Sequence, residues 1–350
     1  MQWMIYGANG FTGQLIAKES VRRGHTPLLA GRNEREIGRL GTALGLQTRS
    51  FGLSSHSEIV SGIADVAVVL HCAGPFSKTS EPMLSACLRR GIHYLDITGE
   101  ISVFERCFAR RQEAVVAGSV VIPGVGFDVV PTDCLAMTLK QQLPDAIRLE
   151  IGVCSSGSPS KGTAKTMVEG FARGGAVRRD GAIATVPLGW HLKEIAFRDG
   201  LRVGATAPVG EVSALFHSTG IPDIEVYMAM SPVVVSALRL LRHLRPIVGL
   251  PPVQHVLQAI FEKLLPNPDA ERLAQAHRAS FWCRVENKEG HYREGTLLTA
   301  SGYPLTVRTA IAAIERLEAR PLASGCYTPA MAFGADFITT IADCDLELRS

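Results

Sequence analysis

Gly7, Gly10 and Gly13 stand three residues apart between the apolar run Gln2 to Tyr6 and the helix-like stretch Gln14 to Arg23. Phosphate recognition asks for this arrangement, because bare backbone N–H groups at a helix N-terminus meet negative charge and glycine leaves no Cβ to hold it away. Gly7 is expected to make the tight turn, Gly10 to admit phosphates, and Gly13 to let the helix pack on the sheet. Phe11 completes the loop, and Asn9 and Thr12 add hydrogen-bonding groups. The spacing is G-x-x-G-x-x-G, not G-x-G-x-x-G, but the strand before it and the helix after it are the context that a dinucleotide fingerprint requires.

About 20 residues beyond such a turn, an NAD site places a carboxylate on the ribose 2′-hydroxyl. Here Leu28-Leu-Ala-Gly31 ends instead in Arg32-Asn33. The Arg32 guanidinium fork suits a 2′-phosphate, with Asn33 and Arg35 as further donors, so the expected cofactor is NADP(H). Cys72-Ala73-Gly74-Pro75-Phe76 follows the fourth strand pattern, at the carboxyl edge where open parallel sheets bind ligands. Gly74 lets this loop pass under a cofactor and Pro75 stiffens it, while Phe76 fits either a place beside the nicotinamide or the core. Thr98-Gly99 lets backbone approach a ribose.

Hydride delivery to C=N or C=C needs a proton donor or charge-stabilising group nearby. Asp128, Glu100 and His217 are the candidates by type and position, with Asp96, Thr98, Thr132 and Asp133 in the same two loops. Each has a structural alternative. Asp128 fits a turn, Glu100 a cap on the helix after it, Thr132 or Asp133 a cap on a helix over Cys134 to Gln142, and His217 a structural histidine. Ser160-Lys161-Gly162-Thr163 with Lys165 fits a carboxylate or phosphate at a helix start, or a plain N-cap. No nucleophile elbow, Walker loop or zinc spacing occurs, so hydrolase, kinase and metal-site readings have no support, and no metal is expected.

These loops need a frame. Apolar runs at Thr26 to Ala30, Val66 to Cys72, His93 to Ile97 and Ser119 to Pro123 alternate with helical patterns at Glu34 to Leu44, Glu81 to Arg90 and Val103 to Val116. Strand and helix alternating in this way imply right-handed crossovers and a parallel sheet. After Phe127 the pattern changes to longer loops (Ser155 to Gly162) and turn-punctuated alternation (Leu201 to Glu225). The expected fold is therefore α/β, a Rossmann doubly wound parallel sheet with an inserted α+β second domain. Its expected limits are 1–130 for the dinucleotide domain, 131–304 for the insert, which would serve substrate binding and dimerisation, and 305–350 for a C-terminal segment returning to the first domain.

At 350 residues, two cores are the natural number, and 46% hydrophobic with 20% charged residues is an ordinary globular balance. A net charge of +3 with scattered Lys and Arg leaves no electrostatic footprint for nucleic acid. The eight cysteines occur singly and read as reduced. The first strand pattern begins almost at Met1, which leaves no room for a signal peptide, so a cytoplasmic location is expected. Pro232 to Leu265 is rich in Val, Leu and Ile, but Arg239, Arg242, Arg245 and three prolines interrupt it short of the ~20 apolar residues of a spanning helix. It reads as amphipathic helices covering a pocket or a homodimer surface, with contact to a lipid surface as the alternative.

The sequence also resembles the saccharopine dehydrogenase-like reductases. The resemblance rests on Tyr-Gly-Ala-Asn-Gly-Phe-Thr-Gly at 6–13, Ala-Gly-Arg-Asn at 30–33, Cys-Ala-Gly-Pro-Phe at 72–76, His-Tyr-Leu-Asp-Ile-Thr-Gly-Glu at 93–100 and Gly-Phe-Asp-Val-Val-Pro-Thr-Asp at 126–133. Gly325-Cys-Tyr-Thr-Pro-Ala330 with Phe333-Gly334 is similar to the family's C-terminal signature; the middle resembles it only loosely. The resemblance implies an NADP-binding Rossmann domain, an inserted α+β domain and hydride transfer. Saccharopine reductases proper work on a C–N bond through an imine, and trans-acting enoyl reductase-like members reduce C=C on a carrier-bound acyl chain. The 126–133 block looks more like the second group. An uncharged or hydrophobic small-molecule or acyl substrate is expected, with a saccharopine-type imine dehydrogenase and a non-catalytic NADP-binding or lipid-surface protein as the alternatives.

Overall fold

A computed structural model describes residues 1–155, 174–231, 234–236, 253 and 278–349. The chain divides into two compact units, residues 1–127 with 303–333, and residues 128–302 with 334–350.

The first unit is a parallel sheet with the strand order β3-β2-β1-β4-β5-β6, extended by β15 beside β6. Its strands are β1 (Trp3–Tyr6), β2 (Leu28–Gly31), β3 (Thr48–Ser50), β4 (Val68–His71), β5 (His93–Asp96), β6 (Val120–Ile122) and β15 (Gly325–Cys326). The order reverses at β1, so the crevice between β1 and β4 is the topological switch point where such sheets bind ligands. β1, β2 and β4 are buried at every residue, as apolar strands covered on both faces must be. Register sets Tyr6 opposite His71, which aligns the strand ends that begin the two key loops.

Helices α1 (Phe11–Arg22), α2 (Glu34–Leu44), α3 (His56–Gly62), α4 (Phe76–Arg90), α5 (Ile101–Ala109) and α6 (Arg111–Ala117) are the crossovers. Two differ from the sequence reading. The single helix expected over Val103 to Val116 is two, broken at Arg110, and α4 starts five residues before Glu81, with Pro82 inside it.

In the second unit, α7 (Val130–Gln142) leads into a mixed sheet ordered β10-β11-β12-β7-β13-β14-β16, with β8 and β9 on a side branch. These strands are β7 (Arg148–Cys154), β8 (Gly175–Arg179), β9 (Ala182–Val186), β10 (Leu192–Phe197), β11 (Gly200–Thr206), β12 (Asp223–Ala229), β13 (Ala279–Glu286), β14 (Tyr292–Thr299) and β16 (Asp345–Arg349). Helix α8 (Glu211–Thr219) packs on α7, β8 and β12, while α7 also covers β13 and β14.

Helix α9 (Gly302–Ala319) and the short α10 (Pro329–Phe333) belong to the first unit. Residues 334–350, assigned from sequence to the same returning segment, instead join the second unit, because β16 pairs antiparallel with β14. All eight cysteines are free thiols. No described helix is long and apolar enough to cross a membrane.

Candidate functional site

The glycine turn leaves β1 with Gly7 at φ +84° and with the Gly7 and Ala8 N–H groups both on Ala30 O. A Cβ on Gly7 would sit 2.8 Å from Ala73 N, so this turn lies directly against the Cys72–Phe76 loop. Helix α1 then starts with Gly10 in the N-cap position; no side chain caps it and no acid occupies its first turn. A Cβ on Gly13 would fall 2.4 Å from Gly7 O, so helix and turn can approach this closely only without one.

Asn9 ties this turn to the next one. Its Nδ2 donates to Glu36 Oε2 at 2.7 Å, and its carbonyl accepts from Gln14 Nε2 at 2.8 Å. Asn33 caps α2 by accepting from Glu36 N. Between these contacts Arg32 is exposed, with no ion pair among the described residues. It lies near enough to Tyr6 for its charge to oppose the burial that pushes the phenol up to about 12.

The Cys72–Phe76 loop is held from below. Thr79 Oγ1 donates to Ala73 O, and the buried His71 ring meets Thr79 Oγ1 at 3.0 Å while stacking on Tyr6. Desolvation lowers the His71 imidazole to about 3, so it stays neutral. Phe76 stands edge-on to the same ring, packed against the core.

The carboxylate of Glu100, 7% exposed, accepts Phe76 N on one oxygen and Ser77 N on the other, each at 2.8 Å. Glu100 occupies the N-cap position of α5 but caps α4, a helix that begins 24 residues earlier in the chain. The β5–α5 turn that delivers it is built by Asp96, which accepts Thr98 N, Gly124 N and the Tyr94 hydroxyl, and by Thr98, whose Oγ1 accepts Glu100 N. Burial pushes Asp96 up to about 6 against the pull of those donors.

The run after β6 stays at the same edge of the sheet. Val125 N donates to Asp96 O, Phe127 N to Thr306 Oγ1, and a Cβ on Gly126 would lie 3.5 Å from Ile97. Asp128 is the next residue and the first of the second unit. It is solvent-exposed, yet desolvation by the protein around it raises its carboxyl to about 6.

Residues 3–122 match the family described as the saccharopine dehydrogenase NADP binding domain. Over these residues the chain is similar to that domain family. A saccharopine dehydrogenase-like oxidoreductase of Bos taurus is 28% identical over 196 residues, 48% of this chain and 45% of the relative. A trans-acting enoyl reductase of Mycobacterium leprae is 30% identical over 138 residues, 37% of this chain and 33% of the relative. The chain therefore spans less than half of either relative. In fold it is similar to the saccharopine dehydrogenase (L-Glu forming) of Saccharomyces cerevisiae, with a TM-score of 0.67 at 13% identity over the full length of both chains. The homospermidine synthase of Legionella pneumophila, solved with NAD, gives 0.63 at 9% identity over 99% of this chain and 91% of that one.

The first unit has the donor set that a dinucleotide needs. The uncapped start of α1 offers backbone N–H groups and the positive end of a 12-residue helix to a pyrophosphate, and the glycines leave the approach clear. Of the side chains expected there, Arg32 and Arg35 keep charged heads without a partner among the described residues; Asn9 and Asn33 already hold protein partners that shape the cradle. Thr98 is fully buried, and its hydroxyl serves the turn. Thr132 and Asp133 lie inside α7, whose start at Val130 makes Val129 the cap residue, so neither caps a helix beginning at Cys134. His217 is in the last turn of α8, six residues and so roughly 9 Å along the axis from Glu211.

Glu211, buried at the start of α8, is a carboxylate that sequence reasoning did not single out. Nothing in Val209-Gly-Glu-Val-Ser213 marks it, and only its burial in the fold does. Ser160, Lys161, Thr163 and Lys165 lie outside the described residues, as does 232–265 apart from 234–236 and 253.

The Asp96 assignment has a direct test in stability. Its folded-state pKa stands about two units above the ordinary value, so the native state loses stability as pH rises from about 4 to about 6 and then levels off, by on the order of 2 to 3 kcal/mol. Asp96→Asn should flatten that part of the profile in denaturant melts taken at each pH. An unchanged slope would show that Asp96 is already ionised at pH 4.

Proposed function

We propose that the protein is an NADP(H)-dependent oxidoreductase that transfers hydride to a C=C or C=N bond of an uncharged or hydrophobic small-molecule or acyl substrate. The observation that carries this reading is the uncapped, glycine-lined start of α1 beside Arg32 at the end of β2, which has no ion pair among the described residues. The pyrophosphate would rest on the α1 N-terminus, the 2′-phosphate on Arg32, and the nicotinamide along the loop after β4, which Glu100 holds against the switch point. Once bound, the cofactor supplies the hydride. The chain's part is to hold that loop still, exclude alternative poses and provide a proton, for which Asp128 is the candidate carboxyl.

Charge distribution favours the uncharged substrate over a multiply charged amino acid. A cavity of about 620 Å³ opens on the second unit's sheet, and its cations are matched by carboxylates: Arg179 and His191 meet Glu225, Lys193 meets Glu150, and Arg284 meets Glu286. That lining has no surplus positive charge with which to hold a tricarboxylate.

Arg32 gives the test of cofactor choice. Losing a charge-assisted fork on a phosphate should weaken NADPH binding by about tenfold or more while leaving NADH affinity near its starting value. Arg32→Asp should go further and invert the preference. Titration of both nucleotides by intrinsic fluorescence reads the result, and NADPH affinity unchanged in Arg32→Asp would remove the 2′-phosphate assignment.

A further inference from the structure

Glu36 has a use in its own helix and serves another segment instead. Asn33 at the N-cap of α2 and Glu36 three residues later are the two ends of a capping box, in which the glutamate would turn back to the N-cap N–H. Asn33 keeps its half and accepts Glu36 N at 3.2 Å. The Glu36 carboxylate reaches across to the glycine turn, where its Oε2 accepts Asn9 Nδ2 at 2.7 Å. Of the two carboxylates in that first helical turn, Glu34 and Glu36, only Glu36 bonds to the glycine turn among the described residues. The Asn9 side chain fills the space between the turn and the end of β2, since a Cβ on Gly31 would meet its Oδ1 at 2.8 Å. Ala30 O, which accepts both Gly7 N and Ala8 N, holds the same two segments together. In a dinucleotide site the adenosine ribose lies between these segments, with its 2′ oxygen toward the end of β2. The start of α2 thus brings to that corner an exposed carboxylate whose Oε1 has no partner among the described residues, beside Arg32 and Arg35, which also lack one.

We propose that Glu36 is the ribose acceptor of this corner and that the protein takes NADH as well as NADPH. This rests on the cofactor reading above and extends it from the 2′-phosphate to the 2′-hydroxyl. With NADH, the 2′-hydroxyl donates to Glu36 Oε1 while Oε2 stays on Asn9, the role that a carboxylate at the end of β2 performs in an NAD site. With NADPH, the 2′ oxygen carries a phosphate and has no proton to give. Arg32 and Arg35 then hold the phosphate, and the Glu36 charge beside them works against it. The two nucleotides are read by opposite charges on neighbouring residues, and neither set excludes the other. Glu36 escapes a search at the end of β2 because it lies four residues past Arg32, inside the helix. Asn9, by taking Oε2, draws the carboxylate to the corner and away from its own N-cap.

The experiment is isothermal titration of the full chain and of Glu36→Gln with NADPH, NADH and 2′-deoxy-NADH. Glutamine has the same length and suits the same helix position, so thermal melts of the two free proteins should nearly coincide. The parent should bind both NADPH and NADH. Removing the charge should weaken NADH binding by about tenfold, the loss of a hydrogen bond to a charged group, and tighten NADPH binding by roughly threefold, the relief of a like charge beside the phosphate. Opposite movements of this kind separate a specificity role from a structural one, because a loosened corner would weaken both nucleotides. 2′-Deoxy-NADH should bind the parent about tenfold more weakly than NADH does, and should bind the two proteins alike, since it offers Glu36 no hydroxyl. NADH affinity unchanged in Glu36→Gln, both nucleotides weakened together, or a parent that binds NADPH and not NADH overturns the proposal and leaves the reductase reading in place. A parent that binds neither nucleotide removes that reading and the proposal with it, so the two failures are distinguishable.

Discussion

Gly10→Ala is expected to weaken NADPH binding by about 100-fold without unfolding the protein. The added methyl meets only Gly7 O, at 3.2 Å, and the residue sits at φ −70°, which any L side chain adopts, so the turn needs to give by only a few tenths of an ångström. A phosphate does not tolerate it, because the methyl stands where the anion must approach the first free N–H groups of α1. Two charge-assisted contacts at the usual strength account for two decades of affinity. The comparison with Gly13→Ala separates binding from folding. There the Cβ would fall 2.4 Å from Gly7 O and 2.8 Å from Ala8 Cα, backbone that cannot step aside, so that variant should lose stability as well. Isothermal titration with NADPH, beside thermal melts of the free proteins, reads both effects. NADPH affinity in Gly10→Ala equal to that of the parent would place the nucleotide elsewhere.

The second large effect belongs to Glu100. Its two oxygens are the partners of two backbone N–H groups at the start of α4, and the site is nearly closed to water. Glu100→Ala should therefore cost ~3 kcal/mol or more, the loss of two hydrogen bonds to a charged group plus the unpaired donors left behind. Glu100→Gln keeps one acceptor and turns an N–H toward the other donor, so it should cost less, ~1 to 2 kcal/mol, and show which oxygen matters. Because the same loop carries Gly74 and Phe76, the nucleotide-induced rise in melting point should shrink in both variants. If Glu100→Ala melts with the parent, the carboxylate is not the anchor, and its role as a proton donor returns to consideration.

Read along the chain, Glu100 follows Thr98-Gly99 as a carboxylate in the right loop, which is why residue type alone places it among the acids. What makes it an anchor is the convergence of the β5 and β4 strand ends, a parallel pairing between segments 25 residues apart. No local signal at Phe76 announces a helix start either, because its cap comes from a different loop. Asn9 follows the same logic, a donor by type but engaged with Glu36 once β1 and β2 lie side by side, whereas Asn33 is taken up locally as the cap of α2.

The amino-acid sequence alone determined the glycine turn, the strand and helix alternation of the first 122 residues apart from β3, α3 and the break at Arg110, and the absence of a carboxylate at the end of β2, because each depends on residues close together in the chain. Backbone conformation, side-chain period and anion access at a helix start are local properties. The tertiary structure decided which polar groups remain available for chemistry. It occupied Glu100, Asn9 and Thr98 and left Arg32 without a partner. It buried Glu211 with one carboxyl oxygen unmatched among the described residues. It also sent residues 334–350 to the second sheet. Burial and partnership arise from segments far apart in sequence, and it is those two quantities that separate an acid that holds a proton from one that holds a loop.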